Sequence, residues 1–81
     1  MQVSIYNPSD LGKCVRQARK AQGLTQKELA DYFTAFSREY LSDLENGKPT
    51  VELGKALSVL NVLGLRVSIT SCDDWEDGAL S

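Results

Sequence analysis

The chain has 81 residues, 42% of them hydrophobic and 25% charged, with a formal net charge of −2. Such a length makes one domain at most, and it buries only about 60% of the surface its unfolded chain exposes, so a staple or a second copy is expected to supply further burial. Histidine is absent and there are two cysteines, Cys14 and Cys72. The usual general base of catalysis and a zinc ligand set are therefore both missing, and an enzyme, a metal site, a cofactor and a small-molecule substrate are all disfavoured. No apolar stretch approaches the roughly 20 residues of a membrane helix. Met1 runs straight into Gln2-Val3-Ser4 without a secretory pattern, which makes reduced thiols in a cytoplasmic protein the expectation.

The charge is unevenly spread. Residues 71–81 carry Asp73, Asp74, Glu76 and Asp77 and no base, whereas residues 1–70 carry all nine Lys and Arg against seven acids, a net of +2. A mildly basic body with an acidic tail suits a nucleic-acid partner, although acidic ends also serve solubility. The expected division is a folded body over 1–70 and a flexible tail over 71–81, where periodicity stops.

In chain order, Asn7 can cap a first helix, Pro8 suits its first position, and Asp10 lies in its first turn. Leu11, Cys14, Val15 and Ala18 form one apolar stripe, and Gly23 ends the helix. Thr25 and Glu28 make a capping box for a second, short helix over Gln26–Phe33, with Leu29, Ala30 and Phe33 inward. Thr34-Ala35-Phe36 reads as a connector. Ser37 is a fresh cap for a third helix whose apolar side is Tyr40, Leu41 and Leu44, and Gly47 stops it.

Thr50 is expected to cap a fourth helix with Leu53, Ala56, Leu57 and Leu60 on its inner stripe. Val59, Val62 and Leu63 widen its apolar arc beyond what one small chain needs, which suggests a subunit contact. After Gly64 the period changes to two: Leu65, Val67 and Ile69 alternate with Arg66, Ser68 and Thr70, a strand pattern. A solitary strand leaves its donors and acceptors unpaired. Its partner is either Val3–Ile5 or its own copy in a homodimer, and the copy answers the burial problem too. The dimer surface is thus expected at Val59, Val62, Leu63, Leu65, Val67 and Ile69.

Two short capped helices joined by a tight turn are the sequence form of a helix-turn-helix, in which the first helix braces on phosphates and the second lies in the major groove of double-stranded DNA. The outer face of the third helix carries Ser37, Arg38, Glu39, Ser42 and Asp43, the candidate base contacts. Thr25, Gln26, Lys27, Asn46 and Lys48 are candidate phosphate contacts, which set register without reading sequence.

Leu24-Thr25-Gln26-Lys27-Glu28-Leu29-Ala30, followed by Leu44-Glu45-Asn46-Gly47-Lys48, resembles the lambda-repressor-like or XRE group of helix-turn-helix regulators over about residues 11–63. Pro49-Thr50-Val51-Glu52-Leu53-Gly54-Lys55 and the Leu65–Thr70 strand look most like HipB-type antitoxins. The resemblance implies a mainly all-α, four- to five-helix lambda-repressor-like fold, with the C-terminal β-strand pairing across a dimer. It implies an antitoxin that represses its own operon at operator DNA and neutralises a HipA-like serine/threonine kinase toxin. It matches Gln26 to a phosphate-binding glutamine, Arg38, Glu39 and Asp43 to base-reading positions, and Asn46 and Lys48 to backbone contacts. It also matches Arg19 and Glu45 to a structural ion pair. The turn at Thr34-Ala35-Phe36 is one residue longer than the family norm and lacks its glycine, which leaves the register of the recognition helix open.

Trp75 stands among four acids with no intrachain reason, and is a candidate anchor for the toxin partner, since tryptophan is enriched at binding hot spots; packing on the dimer's own strands is the alternative. A stand-alone repressor, or an interaction module that no longer reads DNA, are the competing functions.

Overall fold

The computed structural model describes residues 2–33 and 36–71, which form four helices: α1 (Pro8–Ala21), α2 (Gln26–Tyr32), α3 (Arg38–Glu45) and α4 (Leu53–Val62). The fold is all-α. The starts of α1, α2 and α3 follow from local chemistry. Asn7 Oδ1 accepts from the Asp10 amide at 2.8 Å, and Pro8 occupies the first turn, where its missing N–H costs nothing. Thr25 Oγ1 accepts from the Glu28 amide while the Thr25 amide donates to Glu28 Oε1, both at 3.0 Å, so the capping box closes in both directions. Ser37 Oγ accepts from the Tyr40 amide at 3.1 Å. The ends of α1 and α3 share one device. Gly23 (φ 72°) and Gly47 (φ 78°) take the left-handed conformation, and the amides of Gly23 and Leu24 return to the carbonyls of Lys20 and Arg19.

The core draws on every helix. Val15, Leu29, Leu41, Leu44 and Val59 are the largest fully buried side chains, joined by Phe36, Ala56, Leu60 and Leu63. Full burial of such a side chain is worth roughly 1.5–3 kcal/mol. Phe36 was expected to lie in a mere connector, yet it is a core residue. The α1 stripe turns inward as expected, Val15 and Ala18 buried, Leu11 and Cys14 half-buried.

α3 packs against both α1 and α2. Its approach to α1 is set by Gly12, where a Cβ would stand 2.5 Å from the carbonyl oxygens of both Leu44 and Glu45. No residue with a side chain fits there without moving α1 off the end of α3.

α4 departs from expectation twice. It begins at Leu53 rather than after a Thr50 cap. Glu52 holds the cap position without a side-chain bond, and residues 49–50 form a turn. The start is fixed instead at the Glu52 carbonyl, which accepts from the Ala56 amide and from the Tyr40 hydroxyl of α3. The inner stripe is also rotated: Ala56, Val59, Leu60 and Leu63 are buried, whereas Leu53 and Leu57 are 65% and 40% exposed. Val59 and Leu63 therefore belong to the chain's own core, which corrects their expected place on a subunit surface. Gln22 Nε2 donates to the Leu63 carbonyl at 2.8 Å and ties the end of α4 to the end of α1.

Residues 65–71 carry no helix, and among the described residues neither they nor Val3–Ile5 form a strand bridge. A ladder needs a second strand, and among the described residues this segment has none. Thr34, Ala35 and residues 72–81, Cys72 and Trp75 among them, lie outside the described residues, so the expectations for the lengthened turn and for the acidic tail fall there too. No helix among the described residues is long and apolar enough to cross a membrane.

Candidate nucleic-acid interface

The site is built from the N-terminus of α2 and the outer face of α3. Once Leu41 and Leu44 turn inward, the helical period leaves Arg38, Glu39, Ser42 and Asp43 on the opposite side. With Gln26 from the first turn of α2, those four residues line one shallow, open depression. The structure thus gathers four of the five expected base-reading residues, and one expected phosphate contact, onto a single surface. Ser37 sits at its edge, its hydroxyl oxygen already accepting from the Tyr40 amide.

Beneath that surface lies the ion pair. Arg19 Nε donates to Glu45 Oε2 at 2.7 Å and Nη2 donates to Glu45 Oε1 at 2.8 Å. The third nitrogen, Nη1, donates to the Leu24 carbonyl at 2.7 Å. The two side chains are only 9% and 3% exposed. The Glu45 carboxylate, accepting from Arg19, holds the guanidinium's affinity for its proton above the ordinary arginine value despite burial. Glu45 Oε1 also accepts from Gln26 Nε2 at 3.2 Å. One carboxylate at the end of α3 therefore orients the end of α1, the entry to α2 and the glutamine at the candidate interface.

The remaining expected contacts are arranged as pairs. Lys48 Nζ lies 3.4 Å from Asp43 Oδ2, so the acid nearest the would-be backbone contact has a cation beside it. Asn46 Nδ2 stands 3.4 Å from Ser42 Oγ. Lys27 pairs with Asp31 at 3.0 Å on the exposed face of α2. Thr25 is exposed, but its hydroxyl is used by the capping box. The Thr25 amide and hydroxyl together pull the Glu28 carboxyl below its ordinary value.

Of the expected dimer residues, Val62 and Leu65 are half-buried, and Val67 and Ile69 are 57% and 91% exposed.

Sequence reasoning overlooked Tyr40 as anything but an apolar side chain. Its ring is half-buried, its hydroxyl donates to the Glu52 carbonyl, and Lys55 Nζ lies 5.8 Å from the ring centroid. Burial first, and the Glu52 charge second, push the phenol's pKa up. Nothing local in the sequence announces a contact between α3 and the start of α4.

Comparison with known proteins adds four findings. The helix-turn-helix family model matches residues 15–69. The HTH-type transcriptional regulator y4mF of Sinorhizobium fredii is 45% identical over 65 residues, which span 80% of this chain and 84% of that one. Among solved structures, a HipB-O4 20mer complex contains a chain that superposes with a TM-score of 0.77 at 26% identity, over 90% of this chain and 100% of the other. A chain of the HipA-HipB-O2-O3 complex matches with the same figures.

Proposed function

The chain belongs to the helix-turn-helix family, as a DNA-binding regulator of the XRE type built like HipB, and from that premise we propose that it is an antitoxin and autorepressor. In this reading a homodimer binds operator DNA in the promoter of its own operon and holds a HipA-like serine/threonine kinase toxin inactive. The carrying observation is the surface shared by Gln26, Arg38, Glu39, Ser42 and Asp43, with Gln26 anchored on the carboxylate that closes the Arg19 pair.

Each residue has a role by its chemistry. Arg38, exposed at the front of α3, forks onto guanine O6 and N7, the commonest specific contact. Glu39 and Asp43 accept from cytosine N4 or exclude non-cognate sites by repulsion, and Ser42 supplies a short polar contact. Thr25, Gln26, Lys27, Asn46 and Lys48 hold phosphates and fix the register.

Two copies are invoked because Val67 and Ile69 stand exposed on a segment that has no ladder partner among the described residues. Pairing that segment with its own copy satisfies the backbone and covers those side chains, with Val62 and Leu65 at the edge of the contact. A two-fold dimer sets two recognition helices about one DNA turn apart, roughly 34–36 Å. The toxin partner is supported by the likeness to HipB in a complex with HipA, and Trp75 in the acidic tail is its assigned anchor. The competing reading, a repressor without a toxin, keeps the DNA half of this account.

The test is footprinting on the upstream region with the purified protein, with and without the product of the adjacent gene. Protection of a two-fold site, extended or strengthened by that product, is the expected result. Protection that the product leaves unaltered favours the stand-alone repressor, and no protection at all refutes both.

A further inference from the structure

Arg38 stands between two depressions. On one side lie Gln26, Glu39, Ser42 and Asp43. On the other, Arg38 shares a second open depression with Lys27, Asp31, Phe36, Ser37 and Lys55. Three cations from three different helices face this second space, against one acid on its lining, Asp31, which Lys27 already holds at 3.0 Å. Lys55 comes from the first turn of α4, outside the helix-turn-helix pair. Its ammonium lies 5.8 Å from the centroid of the Tyr40 ring, whose negative face favours a cation there, and its pairing with Glu52 is long, at 3.8 Å. Tyr40 is in turn fixed by its hydroxyl to the Glu52 carbonyl. Lys55 is thus held beside α3 although it belongs to another helix.

Resting on the DNA-binding reading above, we infer that this second depression is a backbone-phosphate site whose outer cation is Lys55. The major groove is about 12 Å wide, and a helix with its side chains is about 10–12 Å across. A recognition helix therefore fills the groove, and a phosphate strand must pass close on either side of it. Gln26, Asn46 and Lys48 are phosphate contacts already assigned above. The strand that passes the front of α3 meets Ser37, Lys27 and Lys55, while the Arg38 fork stays on the base edge. Tyr40 is a positioning residue here, since it presents the Lys55 charge without touching DNA itself.

The test compares wild type, Lys55→Gln, which removes the charge and keeps most of the stem, and Lys55→Arg, which keeps the charge. Binding is titrated across a salt series on a duplex from the chain's own upstream region and on a scrambled duplex. The slope of log K against log salt is expected to flatten in Lys55→Gln by about 0.9 for each bound subunit, with the preference for the upstream duplex over the scrambled one unchanged. Lys55→Arg keeps the wild-type slope. A Lys55→Gln slope equal to wild type overturns the phosphate site and leaves the DNA-binding reading standing. A loss of sequence preference at constant slope also overturns it, by making Lys55 a base reader. A wild-type protein that binds neither duplex overturns the underlying reading itself.

Discussion

Arg19 of α1 and Glu45 of α3 are joined by two hydrogen bonds of 2.7 and 2.8 Å, both buried. Both side chains are almost wholly removed from water, so neither charge has a solvent alternative if its partner is lost. Breaking a buried pair from one side costs about 3–5 kcal/mol, while replacing both partners by apolar groups of similar volume is often neutral. Arg19→Ala is therefore expected to lose that much in urea or thermal unfolding. The double variant Arg19→Met, Glu45→Leu is expected to recover most of the loss. Additive losses in the double variant would show that the pair is not coupled.

Gly12 and Gly54 give substitutions of opposite sign. Both are helical, and glycine inside a helix costs about 0.5–1 kcal/mol relative to alanine. At Gly54 a Cβ meets only Glu52 Oε1, at an ordinary 3.6 Å, so Gly54→Ala is expected to stabilise by up to that amount. At Gly12 the Cβ would press on two backbone carbonyls of α3, and overpacking of this kind costs typically about 1–3 kcal/mol. Gly12→Ala is expected to lower the melting temperature, and an unchanged or raised value would mean that α1 does not sit on α3 as described.

The capping box ties one carboxylate to the pH dependence of stability. The Thr25 amide and hydroxyl lower the Glu28 pKa in the folded chain. A carboxyl with a lowered folded pKa stabilises in full above its unfolded value, about 4.3, and loses that contribution as pH falls through the folded value. Glu28→Gln is thus expected to be less stable than wild type at neutral pH, with the gap closing in acid. Thr25→Ala removes the other half of the box and is expected to cost about 1 kcal/mol. A gap for Glu28→Gln that is constant from pH 7 to pH 2 would contradict the box.

What was legible in the sequence was local. Asn7, Thr25 and Ser37 cap helices because their side chains bond amides three residues on, and those bonds need no tertiary context. The family motif likewise located Arg19, Glu45 and Gln26, which the fold brings together. What escaped was decided by packing between elements. Nothing near Gly12 says that another helix ends against it. Phe36 lies in a connector yet reaches the core. In α4 two apolar stripes compete, Leu53 with Leu57 and Val59 with Leu63. Packing into the shared core selects the second, leaving Leu53 and Leu57 exposed. The Thr50 cap failed because the start of α4 is set by Tyr40, a residue of another helix.

The central claim is that the outer face of α3 reads base sequence, with Arg38 at its front. It is tested most directly by equilibrium titration of wild type and Arg38→Ala against the upstream duplex and a scrambled one at fixed salt. The account predicts that wild type prefers the upstream duplex and that Arg38→Ala loses discrimination worth roughly 1–3 kcal/mol per contact. A wild-type protein that binds the two duplexes equally, or an Arg38→Ala variant that keeps the full preference, would contradict it.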